Sequence, residues 1–214
     1  MFEYSPEIIE KLIKSLSLDR LSTYGAGSTG CSREALELYI WNTQASAAFY
    51  VPLQGLEVTL RNALHRELAK KFGTANWYDT FGLERQGREK VQKAKESVYA
   101  VHRKVAAPHV VAELSFGFWQ SLLSKRYYQS LWVPALHKAF PNAKRKPTDI
   151  QTTLNHLRIL RNRIAHHEPI FMRHLSNDYQ SILQALTWIC PETAKWVEHQ
   201  SKVDEILMNK PHSP

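Results

Sequence analysis

The sequence predicts an all-α protein, a helical bundle, and three observations carry that prediction. Apolar residues recur at three- and four-residue spacing, as in Ile8, Ile9, Leu12, Ile13 and Leu16, the period of one buried helix face. No segment alternates convincingly between apolar and polar residues, as a half-buried strand does. Helix start and stop signals bracket the periodic stretches, Ser5-Pro6-Glu7 at one end and Gly73 at another, where serine caps, proline fits a first turn and glycine permits a left-handed exit. With 214 residues the chain can bury a sizeable core in a single domain. That domain is expected over residues 1–208, with an N-terminal helix and Gly-rich loop in 1–30 and a disordered tail in 209–214.

The first helix should run from the Ser5 cap to about Ser17. Leu18 to Gly30 is broken up, and Gly25 to Gly30 reads as a surface loop, since the lysine and hydroxyl residue of a phosphate-binding P-loop are missing. Ser32 to Phe49 makes the next helix, and Pro52 should break or kink the chain at Tyr50-Val51-Pro52. A long helix follows to about Phe72, with Leu53, Leu56, Leu60, Leu64 and Leu68 inward and Gly73 as its stop. Trp77 to Gly82 reads as an aromatic turn.

Leu83 to Val105 carries Arg85, Arg88, Lys90, Lys93, Lys95, Arg103 and Lys104, a solvated helix face or a track for a nucleic-acid backbone. Pro108 begins another helix, Val110 to about Ser124, whose Phe116, Phe118 and Trp119 are expected in the core. Tyr127 to Phe140 should form a helix in two pieces about Pro134, and a basic loop, Pro141 to Pro147, leads into the next helix. After Pro169, Leu175 to Ile189 forms a helix with Ser176 or Asn177 as cap, and Pro191 starts a last one through Trp196.

The formal net charge of +8, with ten histidines uncounted, suits a polyanionic partner. Cys31 and Cys190 are the only cysteines, too few for a disulfide framework or a cysteine zinc site. No apolar run approaches the roughly 18 residues of a membrane span. Met1 to Glu7 lacks the basic and apolar regions of a secretory signal, so the cytosol is the expected location and no membrane partner is expected.

The densest chemistry lies in Leu154 to Ile170, which reads Leu-Asn-His-Leu-Arg-Ile-Leu-Arg-Asn-Arg-Ile-Ala-His-His-Glu-Pro-Ile. Thr148 and Asp149 can cap this helix after Pro147, and Pro169 should stop it near His167 or Glu168. At about 100° per residue, Ile150, Leu154, Leu157, Leu160 and Ile164 form an apolar arc. Asn155, Arg158, Asn162 and His166 form a polar arc, whereas Arg163, His156 and His167 fall on a third face. Arg161 falls inside the apolar arc. Its stem can lie along the core with the guanidinium reaching water. With Asn162 and His166 on the adjacent face, it can also converge on one ligand group at the core edge. Arginine grips phosphate bidentately without losing its charge, and histidine moves a proton near neutral pH.

Arg161-Asn162-Arg163-Ile164-Ala165-His166 resembles the Arg-Asn-x-x-x-His motif of the HEPN ribonucleases, and its context resembles their abortive-infection (Abi-like) branch. Leu56 to Asn62, Gly73 to Tyr78 and Val111 to Trp119 share in the resemblance, which extends from the first helix to about Trp188. It implies a HEPN-like helical bundle with additional N-terminal and peripheral helices. It also implies a metal-independent endoribonuclease, without a cofactor, acting in phage defence or as a toxin. Arg161, Asn162 and His166 would be the catalytic residues. Arg158, Arg163, His167, Asn155, Glu57 and Arg61 would contact substrate or line the site, and His167 is also an alternative to His166. The partners implied are RNA as substrate, a second copy of the chain completing a composite site in a homodimer, and an antitoxin of protein or RNA.

Leu60-Arg61-Asn62-Ala63-Leu64-His65 echoes the motif, with its histidine one residue early. There, Glu57 and Arg61 are expected as a buried polar pair that braces the bundle. The competing function is an RNA-binding or regulatory protein that uses the same arginines without cutting. A metal site from His156, His166, His167, Glu168 and His174 is disfavoured, because no HExxH spacing exists and adjacent histidines point to different helix faces.

Overall fold

Ser5 caps the first helix as its spacing predicts: its Oγ accepts the Ile8 N–H at 3.4 Å, and α1 spans Pro6–Leu16. The computed structural model describes residues 2–25 and 33–211. The segment 26–32 and the last residues, 212–214, lie outside the described residues, and with them most of the Gly-rich loop, Cys31, Ser32 and the end of the expected tail. Eleven further α-helices follow among the described residues. They are α2 (Leu18–Ser22), α3 (Arg33–Ala48), α4 (Tyr50–Phe72), α5 (Trp77–Thr80), α6 (Arg85–His102) and α7 (Ala107–Glu113). After these come α8 (Phe116–Ser121), α9 (Pro147–Ala165), α10 (Leu175–Ile189), α11 (Pro191–Gln200) and α12 (Val203–Met208). No described residue is in a strand, so the fold is all-α. No helix among the described residues is long and apolar enough to cross a membrane.

Several expected elements are corrected. Leu18 to Ser22, expected to be irregular, forms a short helix because Ser17 caps it through the Arg20 N–H. The break expected at Tyr50 to Pro52 falls at Phe49, and Pro52 lies in the first turn of α4, where a missing N–H leaves no intrahelical bond unmade. The Trp77 turn holds one turn of helix. The single helix expected over Val110 to Ser124 is two, because Ser115 is extended and caps α8 through the Phe118 N–H. Tyr127 to Phe140 contains no α-helix: a π-helical turn, Tyr128–Trp132, lies between 3-10 turns at Lys125–Tyr127 and Leu136–Ala139. The last expected helix runs past Trp196 to Gln200, and α12 follows it.

The described chain falls into two compact units. The first comprises Met1–Val51, Leu160–Tyr179 and Gln200–Pro214; the second comprises Pro52–Ile159 and Gln180–His199. The division falls inside α9, between Ile159 and Leu160.

In the first unit, Tyr24 meets Tyr39 edge-on and lies against Phe171, at ring separations of 5.2 and 5.1 Å. The Trp41 indole N–H donates to the Ile206 carbonyl at 2.9 Å and ties α3 to α12. Asn42 is buried, yet its side-chain oxygen accepts the Ile170 and Phe171 N–H groups at 2.8 and 3.1 Å. Those bonds offset the cost of burying an amide.

In the second unit, the expected leucine stripe of α4 is buried: Leu53, Leu56, Leu60, Leu64 and Leu68. Phe116, Phe118 and Trp119 are buried too, with Trp119 6.1 Å and Phe118 6.4 Å from the Trp77 ring. That aromatic group is core, with no open ring face for a base. Gly55 lets α4 approach α11 closely, since a Cβ there would stand 2.7 Å from Val197 Cγ2. Of the apolar arc the helical wheel gives α9, Ile150, Leu154 and Leu157 are buried here and Leu160 is buried in the first unit, whereas Ile164, one turn from the helix end, is only half-buried.

Candidate functional site

Helix α9 ends earlier than Pro169 alone requires. Its last residue is Ala165, and the exit is closed by the Glu168 N–H to the Arg163 carbonyl at 2.8 Å and the His167 N–H to the Ile164 carbonyl at 3.1 Å. This paired closure is a Schellman motif, which needs a left-handed residue just past the helix. His167 takes that position, with φ +56°. A side chain there costs about 1–2 kcal/mol relative to the right-handed form, and glycine is the usual occupant. The expectation of a helix reaching His167 or Glu168 is therefore corrected. So is the wheel argument that set His167 on a far face beside Arg163, because His167 has left the helix.

Four sets of contacts hold this strained exit and the chain just beyond it within the first unit. The His167 carbonyl accepts a hydrogen bond from the Arg20 guanidinium. Arg163 Nε pairs with Glu168 Oε2 at 3.1 Å. Asn42 takes the N–H groups of Ile170 and Phe171 as described, and the Arg173 guanidinium grips Asp178 bidentately at 2.8 and 2.9 Å just beyond. Arg20 and Asn42 were absent from the sequence reading. Asn42 had a signal, being a lone amide beside the apolar Leu38, Trp41 and Ala45 of α3; Arg20 had none.

The motif residues stand at this exit. Arg161, Asn162 and Arg163 are half-buried in the last turns of α9, whereas His166 and His167 are exposed immediately beyond it. The His166 N–H closes on the Asn162 carbonyl at 2.9 Å, which keeps Asn162 and His166 in helical register. A guanidinium, an amide and two imidazoles are thus presented by one helix end.

The remaining predicted residues gather in the second unit, at the turn between α7 and α8. Glu57 Oε1 accepts the Phe116 N–H at 3.0 Å, and Arg61 Nη1 donates to the Ala112 carbonyl at 3.2 Å. Both brace that turn from successive turns of α4. The Arg158 stem passes Gly117, where a Cβ would stand 3.5 Å from Arg158 Cδ. The Arg158 guanidinium donates to Asn155 Oδ1 at 3.3 and 3.1 Å. His65, in the echo of the motif, accepts the Trp77 indole N–H on Nδ1 at 3.1 Å, and burial pushes its pKa down. Among the described residues no three His, Cys, Asp or Glu side chains come together as a group that could hold a metal ion.

No protein-family model, no curated protein and no solved structure matches this chain.

Proposed function

We propose that the chain is an endoribonuclease of the HEPN type, with its reacting groups at the end of α9. The observation that carries this reading is the clustering of Arg161, Asn162 and His166 at a helix end whose exit residue is held in a strained backbone form. Strain of that kind persists only where surrounding contacts over-determine it, and such residues concentrate at functional sites.

RNA holds its own nucleophile, the 2′-hydroxyl, so cleavage needs a base at that oxygen, charge stabilisation on the phosphate and an acid at the leaving 5′-oxygen. His166 supplies proton transfer, an effect of roughly 10²–10⁴-fold in rate. Arg161 holds the phosphate and stabilises the charge that develops on it. Asn162 orients His166 or a phosphate oxygen. Bond breaking gives a 2′,3′-cyclic phosphate and a 5′-hydroxyl, and DNA is spared because it lacks the nucleophile. One motif supplies one imidazole in the catalytic role, so a second copy completes the acid–base pair in a homodimer. The activity fits growth arrest during phage infection, with a protein or RNA antitoxin silencing it.

The test is incubation of wild type, Arg161→Ala and His166→Ala with labelled RNA in EDTA. Wild type should cut and leave cyclic phosphate ends, and both variants should be silent. Binding without cutting by wild type would favour the regulatory reading instead, and cutting that survives His166→Ala would sink the assigned site.

A further inference from the structure

Two clefts flank the start of α9, both within the second unit, and Pro147 lines each of them. The larger, about 420 Å³, is lined by Trp132, Phe140, His137, Lys138, Arg145 and Ile150 among others. The smaller, about 250 Å³, is lined by Tyr128, Lys125, Lys146, Thr148 and Gln151 among others. The larger is of the size that takes a small organic ligand. We infer that this pair of clefts binds a single nucleic-acid strand, its phosphates on Arg145 and Lys146 and a base on Tyr128. The inference goes beyond the proposed cleavage reaction and does not require it.

Charge and aromatic surface coincide in these two clefts. Each cleft carries two basic side chains, Lys138 with Arg145 and Lys125 with Lys146. Neither lining includes a carboxylate, so a phosphate entering either meets no like charge from the wall. One aromatic residue of each cleft, Trp132 of the larger and Tyr128 of the smaller, comes from one π-helical turn, Tyr128–Trp132, closed by the Val133 N–H on the Tyr128 carbonyl at 2.9 Å. Turns of this kind recur at functional sites.

The two aromatics differ in what they can do. Trp132 is buried and stacks on Phe140 at 5.8 Å, forming an apolar floor. Tyr128 is 42% exposed, an aromatic side chain within reach of solvent. A base has a π-face whatever its identity, so stacking on such a ring is tolerant of sequence. His137 adds a polar group, its Nδ1–H donating to the Trp132 carbonyl at 3.1 Å, which can only accept. Phosphate attraction supplies affinity and ring stacking favours single strands over duplex, where bases are already stacked.

Binding is read by fluorescence anisotropy of a labelled single-stranded RNA oligonucleotide, in wild type and in His166→Ala, so that loss of cleavage does not alter the readout. Tyr128→Ala should weaken binding by about tenfold or more, and Tyr128→Phe should restore it. Arg145→Ala with Lys146→Ala should weaken it further and flatten the salt dependence by about 0.7 for each charge removed. Lys90→Ala with Lys93→Ala, on the charged face of α6, should leave affinity within about twofold of wild type. A DNA strand of the same sequence that competes equally supports the site and shows that it does not read the 2′-hydroxyl. A duplex that binds as tightly as the single strand overturns the inference. So does wild-type affinity in both Tyr128→Ala and the Arg145/Lys146 variant, or no binding by wild type.

Discussion

Helices α4 and α9 carry near copies of one another, Leu60-Arg61-Asn62-Ala63-Leu64-His65 and Leu160-Arg161-Asn162-Arg163-Ile164-Ala165-His166, and their histidines meet different fates. In α4 the helix runs two turns past His65 to Phe72, so the imidazole stays on a helix wall and accepts the Trp77 indole N–H. In α9 the helix stops at Ala165, so His166 is the first residue past the last turn and is exposed. Even the exits differ in kind. The residue after α4 is Gly73, with φ +67°; the left-handed residue after α9 is His167, with φ +56°. Where a helix ends decides whether a histidine is held against a neighbour or left exposed. Residue identity alone does not.

The largest effect expected from this contrast is on activity. Under the proposed function, His166→Ala should lower the rate of RNA cleavage by roughly 10²–10⁴-fold with little change in melting temperature, because the side chain is exposed. Arg161→Ala should fall in the same range, since it removes a charge aimed at the transition state. His65→Leu should leave cleavage near wild type once stability is restored by working at lower temperature. Equal loss of cleavage in His65→Leu and His166→Ala, both folded, would erase the distinction.

The next effect is on stability and belongs to α4. His65→Leu leaves the indole N–H of Trp77, which is 0% exposed, without its acceptor. A buried donor in that state costs about 1–3 kcal/mol, read as a lower midpoint in chemical denaturation. Its pH dependence has a definite sign. Burial holds the folded His65 pKa below the ordinary value, so the unfolded chain binds the proton more readily. The stability associated with neutral His65 is complete above the unfolded imidazole pKa of about 6.5 and is lost as pH falls below it toward the folded value. Wild type should therefore lose stability on acidification through that window more steeply than His65→Leu. Parallel curves for the two proteins would show that His65 carries no such linkage.

The sequence made one kind of information legible and hid another. The all-α character, the buried leucine stripe of α4 and the inner face of α9 follow from periodicity, because each is a property of one helix. The motif residues at the α9 end are likewise close together in sequence, so their clustering needs no tertiary knowledge. What holds that end in place was hidden, since Arg20 and Asn42 reach it from positions more than a hundred residues earlier. The stop at Ala165 was hidden for a related reason. Pro169 limits how far a helix can run, whereas the Schellman closure at Arg163 and Ile164 is chosen by a backbone form that residues other than glycine adopt uncommonly. The π-helical turn at Tyr128–Trp132 has no local signature beyond Pro134.

The smallest effect is the sharpest test of the two exits. His167→Gly gives α9 the kind of exit residue that α4 has, and it should stabilise the protein by about 1 kcal/mol by removing the Cβ penalty at φ +56°. Gly73→Ala imposes the opposite change. A Cβ at Gly73 meets nothing within 4 Å, so its cost is the backbone strain alone, again about 1 kcal/mol, with the sign reversed. The two shifts in melting temperature should be of similar size and opposite direction. If His167 serves the proposed reaction, His167→Gly gains stability and loses cleavage together, as a strained site should. A more stable variant with undiminished cleavage would instead make His167 a cap alone and leave the chemistry to His166.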